Sequence, residues 1–171
     1  MPILIETLRS ASYRSGFTKS ASTLNEARSL GLQTAFLCHS HLDAQLVEGL
    51  IVLFNEQGWR IYVDWRDVTM PETPTRQTAL RIQQKIRDLR YFIFLATPNS
   101  VSSRWCPWEI GFADNEKTSD SIFIVPTTDT TGKWYGNEYL QLYRKIDVTT
   151  SGALEAWRPG EAQGERLKSL A

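Results

Sequence analysis

The stretch Ser102-Ser103-Arg104-Trp105-Cys106-Pro107-Trp108-Glu109-Ile110-Gly111 gathers two indoles, a thiol and a carboxylate around a proline. Proline inside a helix costs about 3 kcal/mol, so Pro107 predicts that a helix begins here, with the proline in its first turn. Glu109 then falls in the same turn, where the positive end of the helix dipole favours its ionised form. Taken by itself, the stretch reads more plainly as a half-buried aromatic helix start with a dipole-matched glutamate. The two histidines, His39 and His41, flank Ser40. A turn with a capping serine explains them better than a metal site, so no metal is expected. Cys38 and Cys106 are too few for a disulfide framework or a four-cysteine zinc site, and read as packing residues rather than nucleophiles. The phosphate-cradling patterns G-x-G-x-x-G and G-x-x-x-x-G-K-[ST] are absent, as is the G-x-S-x-G nucleophile elbow. A phosphoacceptor site of the response-regulator kind needs an acidic pair after its first strand, and Cys38-His39-Ser40 stands there instead.

The elements that would position these residues alternate in type. Thr34 to Cys38 reads as a buried strand, followed by a capping-box spacing at Ser40 to Asp43 and a helical face of Val47, Leu50, Ile51 and Phe54. Gly58 occupies a helix C-cap position. Trp59 to Val63 predicts a second strand, and Asp64 to Thr75, with Pro71 and Pro74, a long loop. Ala79, Ile82, Ile86 and Leu89 mark a surface helix. Tyr91 to Ala96 is apolar throughout, as a parallel strand buried on both faces should be. Pro98 to Asp114 reads as helical and Ser121 to Val125 as a fourth strand. A short helix around 137–144 and a fifth strand at Lys145 to Thr149 complete the series. Repeated strand–helix units predict an α/β fold, a parallel sheet of four to five strands with helices on both faces. Ligands of such sheets bind beyond the carboxyl ends of the strands, which directs attention to Cys38 to Ser40, Asp64 to Arg66, Thr97 to Asn99 and Pro126 to Thr128.

Three regions follow. Residues 1–32 form an N-terminal helical extension, with Pro2 opening one helix and Thr23-Leu24-Asn25-Glu26 capping another. Residues 33–150 hold the sheet. Residues 151–171 carry Gly152, Pro159, Gly160 and Gly164 and are expected to be an irregular tail. With 171 residues, 42% apolar and 22% charged, the chain is long enough to build its own core. A formal charge of zero argues against nucleic acid or an anionic membrane as partner. The longest apolar runs are far shorter than a membrane span, and the N-terminus lacks the basic region of a secretory signal. The expected location is cytoplasmic.

Read together, residues 34–126 resemble a Toll/interleukin-1 receptor (TIR) domain of the bacterial kind, which implies a flavodoxin-like sheet. Ala35-Phe36-Leu37-Cys38-His39-Ser40 with Asp43 is similar to the family's first strand and box, and Tyr62-Val63-Asp64 to its second strand end. The proline-bearing stretch 64–75 is similar to its long second loop. Ser103-Arg104-Trp105-Cys106-Pro107-Trp108-Glu109 is similar to S-x-W-C-x-x-E, whose glutamate is catalytic in the enzymatic members. The resemblance implies an NAD+ hydrolase or cyclase that cleaves the nicotinamide–ribose bond and releases nicotinamide with ADP-ribose or a cyclic ADP-ribose-type signal, in antiphage defence. Glu109 would be the catalytic residue. His39, Ser40, Asp64, Trp65, Trp105 and Trp108 would contact substrate. NAD+ enters as substrate, with no cofactor. Implied partners are further copies of the chain, through TIR–TIR contacts, and a separate effector that senses the nucleotide product. Three other readings stay open at this point: a non-catalytic TIR interaction module, a virulence-type effector, and a deoxyribosyltransferase-like enzyme.

Overall fold

The six apolar residues Tyr91–Ala96 form a strand buried along its whole length, and helices cover both faces of the sheet around it. The computed structural model describes residues 1–14, 21–64, 75–136 and 138–170. In chain order its first half comprises β1 (Ile3–Leu4), α1 (Ile5–Ser12), α2 (Leu24–Ser29), β2 (Gln33–Cys38), α3 (Ala44–Glu56), β3 (Ile61–Asp64) and α4 (Arg76–Asp88). Then come β4 (Tyr91–Ala96), α5 (Pro98–Val101), α6 (Cys106–Glu116), β5 (Ile122–Thr128), β6 (Trp134–Tyr135), β7 (Arg144–Val148), β8 (Leu154–Trp157) and β9 (Glu165–Arg166).

The sheet runs β3-β2-β4-β5-β7-β8-β9, with β1 and β6 both paired to the far end of β5. Its first five strands are parallel, and β8 and β9 continue antiparallel. This is the flavodoxin-like order, in which the chain reverses its direction of winding between β2 and β4. Alternation along the strands separates two cores. Phe36, Phe92 and Phe94 pack with Ile82 and Ile86 of α4 and Ile110 of α6. On the other face, Leu37, Ile93 and Leu95 pack with Val47, Leu50 and Phe54 of α3 and Leu8 of α1. Gly58 ends α3 at φ +78°, donating to the Asn55 carbonyl while Trp59 donates to Phe54, an arrangement glycine enters without steric cost.

Residues 1–32 are more than an appended helical hairpin. The helix expected from Pro2 begins only at Ile5, because Ile3 and Leu4 pair in parallel with Thr127 and Thr128 of β5. Ile3, Leu8 and Ala11 are fully buried, and α1 lies against α3 at Gly49, where a Cβ would sit 1.9 Å from the Leu8 carbonyl oxygen. Thr23 caps α2 as its spacing predicts, accepting from the Glu26 N–H at 3.1 Å.

The expected irregular tail is a correction. Leu154 and Ala156 are buried and alternate with half-buried Glu155 and Trp157, so this piece pairs with β7 as β8, and β9 follows. Gly164 lets the chain pass close over β8, since a Cβ there would fall 2.6 Å from both Glu155 and Trp157. The short helix expected near 137–144 is a 3₁₀ turn at Glu138–Leu142, with Asn137 outside the described residues. Most of the expected loop from Asp64 to Thr75 also lies outside them. No helix among the described residues is long and apolar enough to cross a membrane.

Candidate active site

At the carboxyl ends of β2 and β4, where the winding reverses, a cavity of about 940 Å³ opens between the turn after β2, the start of α4 and the start of α6. That volume is in the range of small-molecule and cofactor sites. Its lining includes His39, Ser40, Trp105, Trp108 and Glu109. Five residues singled out from the sequence are therefore brought together. Asp64 is not among them: it ends β3 and pairs with Lys85 of α4 at 3.2 Å. Trp65 lies outside the described residues.

The S-x-W-C-x-x-E stretch builds its corner locally. Ser103 Oγ accepts from the backbone N–H of Trp105 at 3.1 Å and of Cys106 at 3.4 Å, satisfying donors that an incoming helix leaves open. Pro107 takes the second position of α6, and Glu109 sits in its first turn, its own N–H donating to the Trp105 carbonyl at 2.9 Å. The Trp105 and Trp108 rings meet edge to face, with centroids 5.5 Å apart. Trp105 leans on the core beneath, whereas Trp108 is 37% exposed and stacks on Phe112 at 6.2 Å.

Glu109 is 3% exposed, and here the dipole expectation is corrected. Burial raises its pKa to about 7, and a hydrogen bond with the Cys38 thiol only partly opposes the rise. Desolvation of the carboxylate thus outweighs the favourable helix end. The sulfurs of Cys38 and Cys106 and a carboxylate oxygen of Glu109 lie within 4.8 Å of one another. Burial also pushes the Cys38 thiol well above its ordinary range, so at neutral pH it is a protonated donor, not a thiolate. The cluster can therefore hold a carboxylate that is poised between its two charge states.

His39 has its pKa lowered by burial, and its Nδ1 is 2.9 Å from the Leu37 carbonyl. A carbonyl only accepts, so the neutral ring carries its proton on Nδ1 and keeps Nε2 as an acceptor. Ser40 caps the 3₁₀ turn His41–Asp43 through a 3.4 Å contact from Leu42 N–H. Asp43 does not close the capping box that its spacing predicts. Its carboxylate, 3% exposed, accepts from Thr97 Oγ1 at 2.5 Å and Asn99 Nδ2 at 2.7 Å, tying the turn after β2 to the turn after β4. Sequence spacing could not show this cross-strand tie, although topology had marked Thr97 to Asn99 for inspection, and Asn99 lines the cavity. Pro126 to Thr128, marked on the same ground, is occupied by β1 and β6. Arg76 and Arg104 also line the cavity, and neither stood out in the sequence.

A family model described as TIR domain matches residues 35–158. The chain is 33% identical over 127 residues to a protein of Bacillus cereus (strain MSX-D12) named "Probable 3' cyclic ADP-D-ribose synthase ThsB'", covering 71% of this chain and 66% of that one. It is 23% identical over 108 residues to "Putative cyclic ADP-D-ribose synthase TIR2" of Cytobacillus dafuensis, covering 61% of this chain and 28% of that one. The chain thus spans less than two thirds of either relative.

Proposed function

Because this chain belongs to the TIR domain family, we propose that it consumes NAD+, cleaving the bond between nicotinamide and ribose and releasing nicotinamide with ADP-ribose or a cyclic ADP-ribose-type product. The observation that carries the reading is Glu109, a buried carboxylate at the inner wall of a cavity large enough for a dinucleotide. Glycosidases ordinarily need a second carboxylate to protonate the leaving oxygen. Nicotinamide leaves from a ring nitrogen that is already cationic, so it takes the bonding pair and needs no proton. What remains is an oxocarbenium-like transition state. An ionised carboxylate in a poorly solvated pocket is far more effective beside such a charge than one in water. The anomeric carbon is then captured by water, which yields ADP-ribose and a proton, or by another group of the same molecule, which closes a ring. Trp105 and Trp108 offer aromatic faces and edges to a flat base, and His39 and Ser40 flank the ribose region. The names of the two relatives support the cyclising outcome.

The direct test gives the full chain NAD+ and, separately, a deoxynucleoside, and follows free base and the mass of the nucleotide product. Nicotinamide release without cleavage of the deoxynucleoside is expected. Base release from the deoxynucleoside alone would mean a deoxyribosyltransferase, and release from neither by a self-associated sample a non-catalytic module. A role in antiphage defence, a separate effector that reads the product, and self-association through TIR–TIR contacts belong to the same proposal. An asymmetric contact that does not close grows open assemblies, so specific activity should fall on dilution. Activity that stays flat in a monomeric sample would remove self-association from the reading.

The rate should also depend on pH through Glu109. Only the ionised carboxylate offsets the oxocarbenium charge, and its pKa stands at about 7. Turnover at saturating NAD+ should rise with pH through neutrality and level off above it, falling about tenfold per unit on the acid side. A profile already flat from pH 5 to 8 would show that Glu109 is ionised throughout and is not the titrating group.

A further inference from the structure

The cavity that holds Glu109 is unevenly charged. Among the described residues that line it, Glu109 is the one carboxylate, and the fixed cations are Arg76, the first residue of α4, and Arg104, in the turn before α6. Both are exposed, and neither has a hydrogen-bond or ion-pair partner among the described residues. Five arginines elsewhere in the chain, Arg9, Arg14, Arg87, Arg144 and Arg158, each pair with a carboxylate. Two unpaired guanidiniums on one cavity, in a chain of zero formal charge, make a local cationic site. A guanidinium presents a fork of donors that matches phosphate oxygens, and two such forks suit two linked phosphates. The arrangement also has a direction. An anion is repelled from the Glu109 end, and a cationic glycosidic nitrogen is repelled from the arginines.

We propose that Arg76 and Arg104 form a diphosphate-binding subsite that seats a dinucleotide with its glycosidic bond at Glu109 and selects it over phosphate-free nucleosides. The inference rests on the NAD+-cleaving reading for its substrate, but the subsite can be measured without turnover. Steady-state kinetics of the full chain, R76Q, R104Q and the double variant are compared on NAD+ and on nicotinamide riboside, which has the same scissile bond and no phosphate. Each single variant should raise KM for NAD+ about tenfold and the double about a hundredfold, with kcat within threefold, since one charge-assisted contact contributes about a factor of ten. Cleavage of nicotinamide riboside should be unchanged. R76K and R104K should recover part of the loss, a lysine being a point charge without the fork. An unchanged KM for NAD+ in the double variant overturns the proposal. So does an equal loss on both substrates, which would mean that the arginines only shape the cavity. In parallel, calorimetry measures ADP-ribose and adenosine binding to the full chain and the double variant. ADP-ribose should bind the full chain and lose at least tenfold in affinity in the double variant, with adenosine unaffected. If the full chain cleaves no NAD+ yet this difference appears, the catalytic reading fails and the subsite stands. If ADP-ribose binds both equally, or neither, the subsite is wrong whatever the turnover.

Discussion

Glu109→Gln should lower NAD+ cleavage by a hundredfold or more and at the same time make the protein harder to unfold at alkaline pH. The first effect follows from removing the charge that faces the oxocarbenium; losing such a partner costs about 3 kcal/mol of transition-state stabilisation. The amide is nearly isosteric, so the corner that Ser103 and Pro107 build should survive. The second effect follows from linkage. The folded-state pKa of about 7 lies above the ordinary 4.5, so the ionised carboxylate is disfavoured by folding. The protonated group carries no such penalty below about pH 4.5. The penalty grows as pH rises through the gap and is complete above about 7, where it amounts to about 3 kcal/mol. Glutamine carries no charge at any pH and escapes it. Melting curves of the two proteins should therefore lie close together at pH 5 and separate at pH 8, the variant higher. An active variant would refute the assigned role of Glu109. An inactive variant that melts lower at pH 8 would show that the carboxylate supports the fold, and the turnover loss would then say nothing about catalysis.

That opposition between stability and activity at one residue was half legible in the sequence. Pro107 fixed where α6 begins and so put Glu109 in its first turn, which the structure reproduces. The helix end argues for a charged carboxylate, and only the three-dimensional neighbourhood of Cys38, Cys106 and Trp105 argues against it. Burial by residues distant in the chain leaves no mark on local spacing. The same distinction runs through the fold. Tyr91–Ala96 was readable to the residue because an apolar run between breakers has one interpretation, and α3 was readable from Val47, Leu50, Ile51 and Phe54. β1 and β6 were not, since two residues have no period and exist as strands only because β5 runs on past its pairing with β4. β8 does have a period, Leu154 and Ala156 buried, but four residues of it were outweighed by the glycines and proline around them. Asp43 shows the limit most directly. Its spacing from Ser40 is that of a capping box, yet Thr97 and Asn99 offer a buried carboxylate two better donors from another strand.

Removing residues 1–32 should cost the protein its cooperative fold or lower its melting temperature by about 15 °C or more. Ile3, Ile5 and Leu8 are at most 8% exposed, and burying an aliphatic side chain of this size contributes about 1.5–3 kcal/mol. Three of them amount to about 4.5–9 kcal/mol before ordering entropy is subtracted, against a total stability of about 5–15 kcal/mol for an ordinary domain. The deletion also uncovers the face of α3 around Gly49, strips the outer end of β5 of its parallel partner, and leaves the Val148 N–H without the Met1 carbonyl it bonds at 2.8 Å. A truncation that fails to fold shows only that something was lost, so a gentler change is needed beside it. Gly49→Ala places a methyl group against the Leu8 backbone, which cannot turn aside as a side chain would, and α1 must move outward. Such overpacking costs about 1–3 kcal/mol, a drop of about 3–10 °C for a chain of this length. NAD+ turnover of the folded fraction should be retained, because α1 and α3 pack on the sheet face opposite α4 and α6. Unchanged melting in both variants would show that the first helix is a passive leader. A normal melt for Gly49→Ala with a collapsed truncation would place the stabilisation in β1 and α2 instead of in the contact between the two helices.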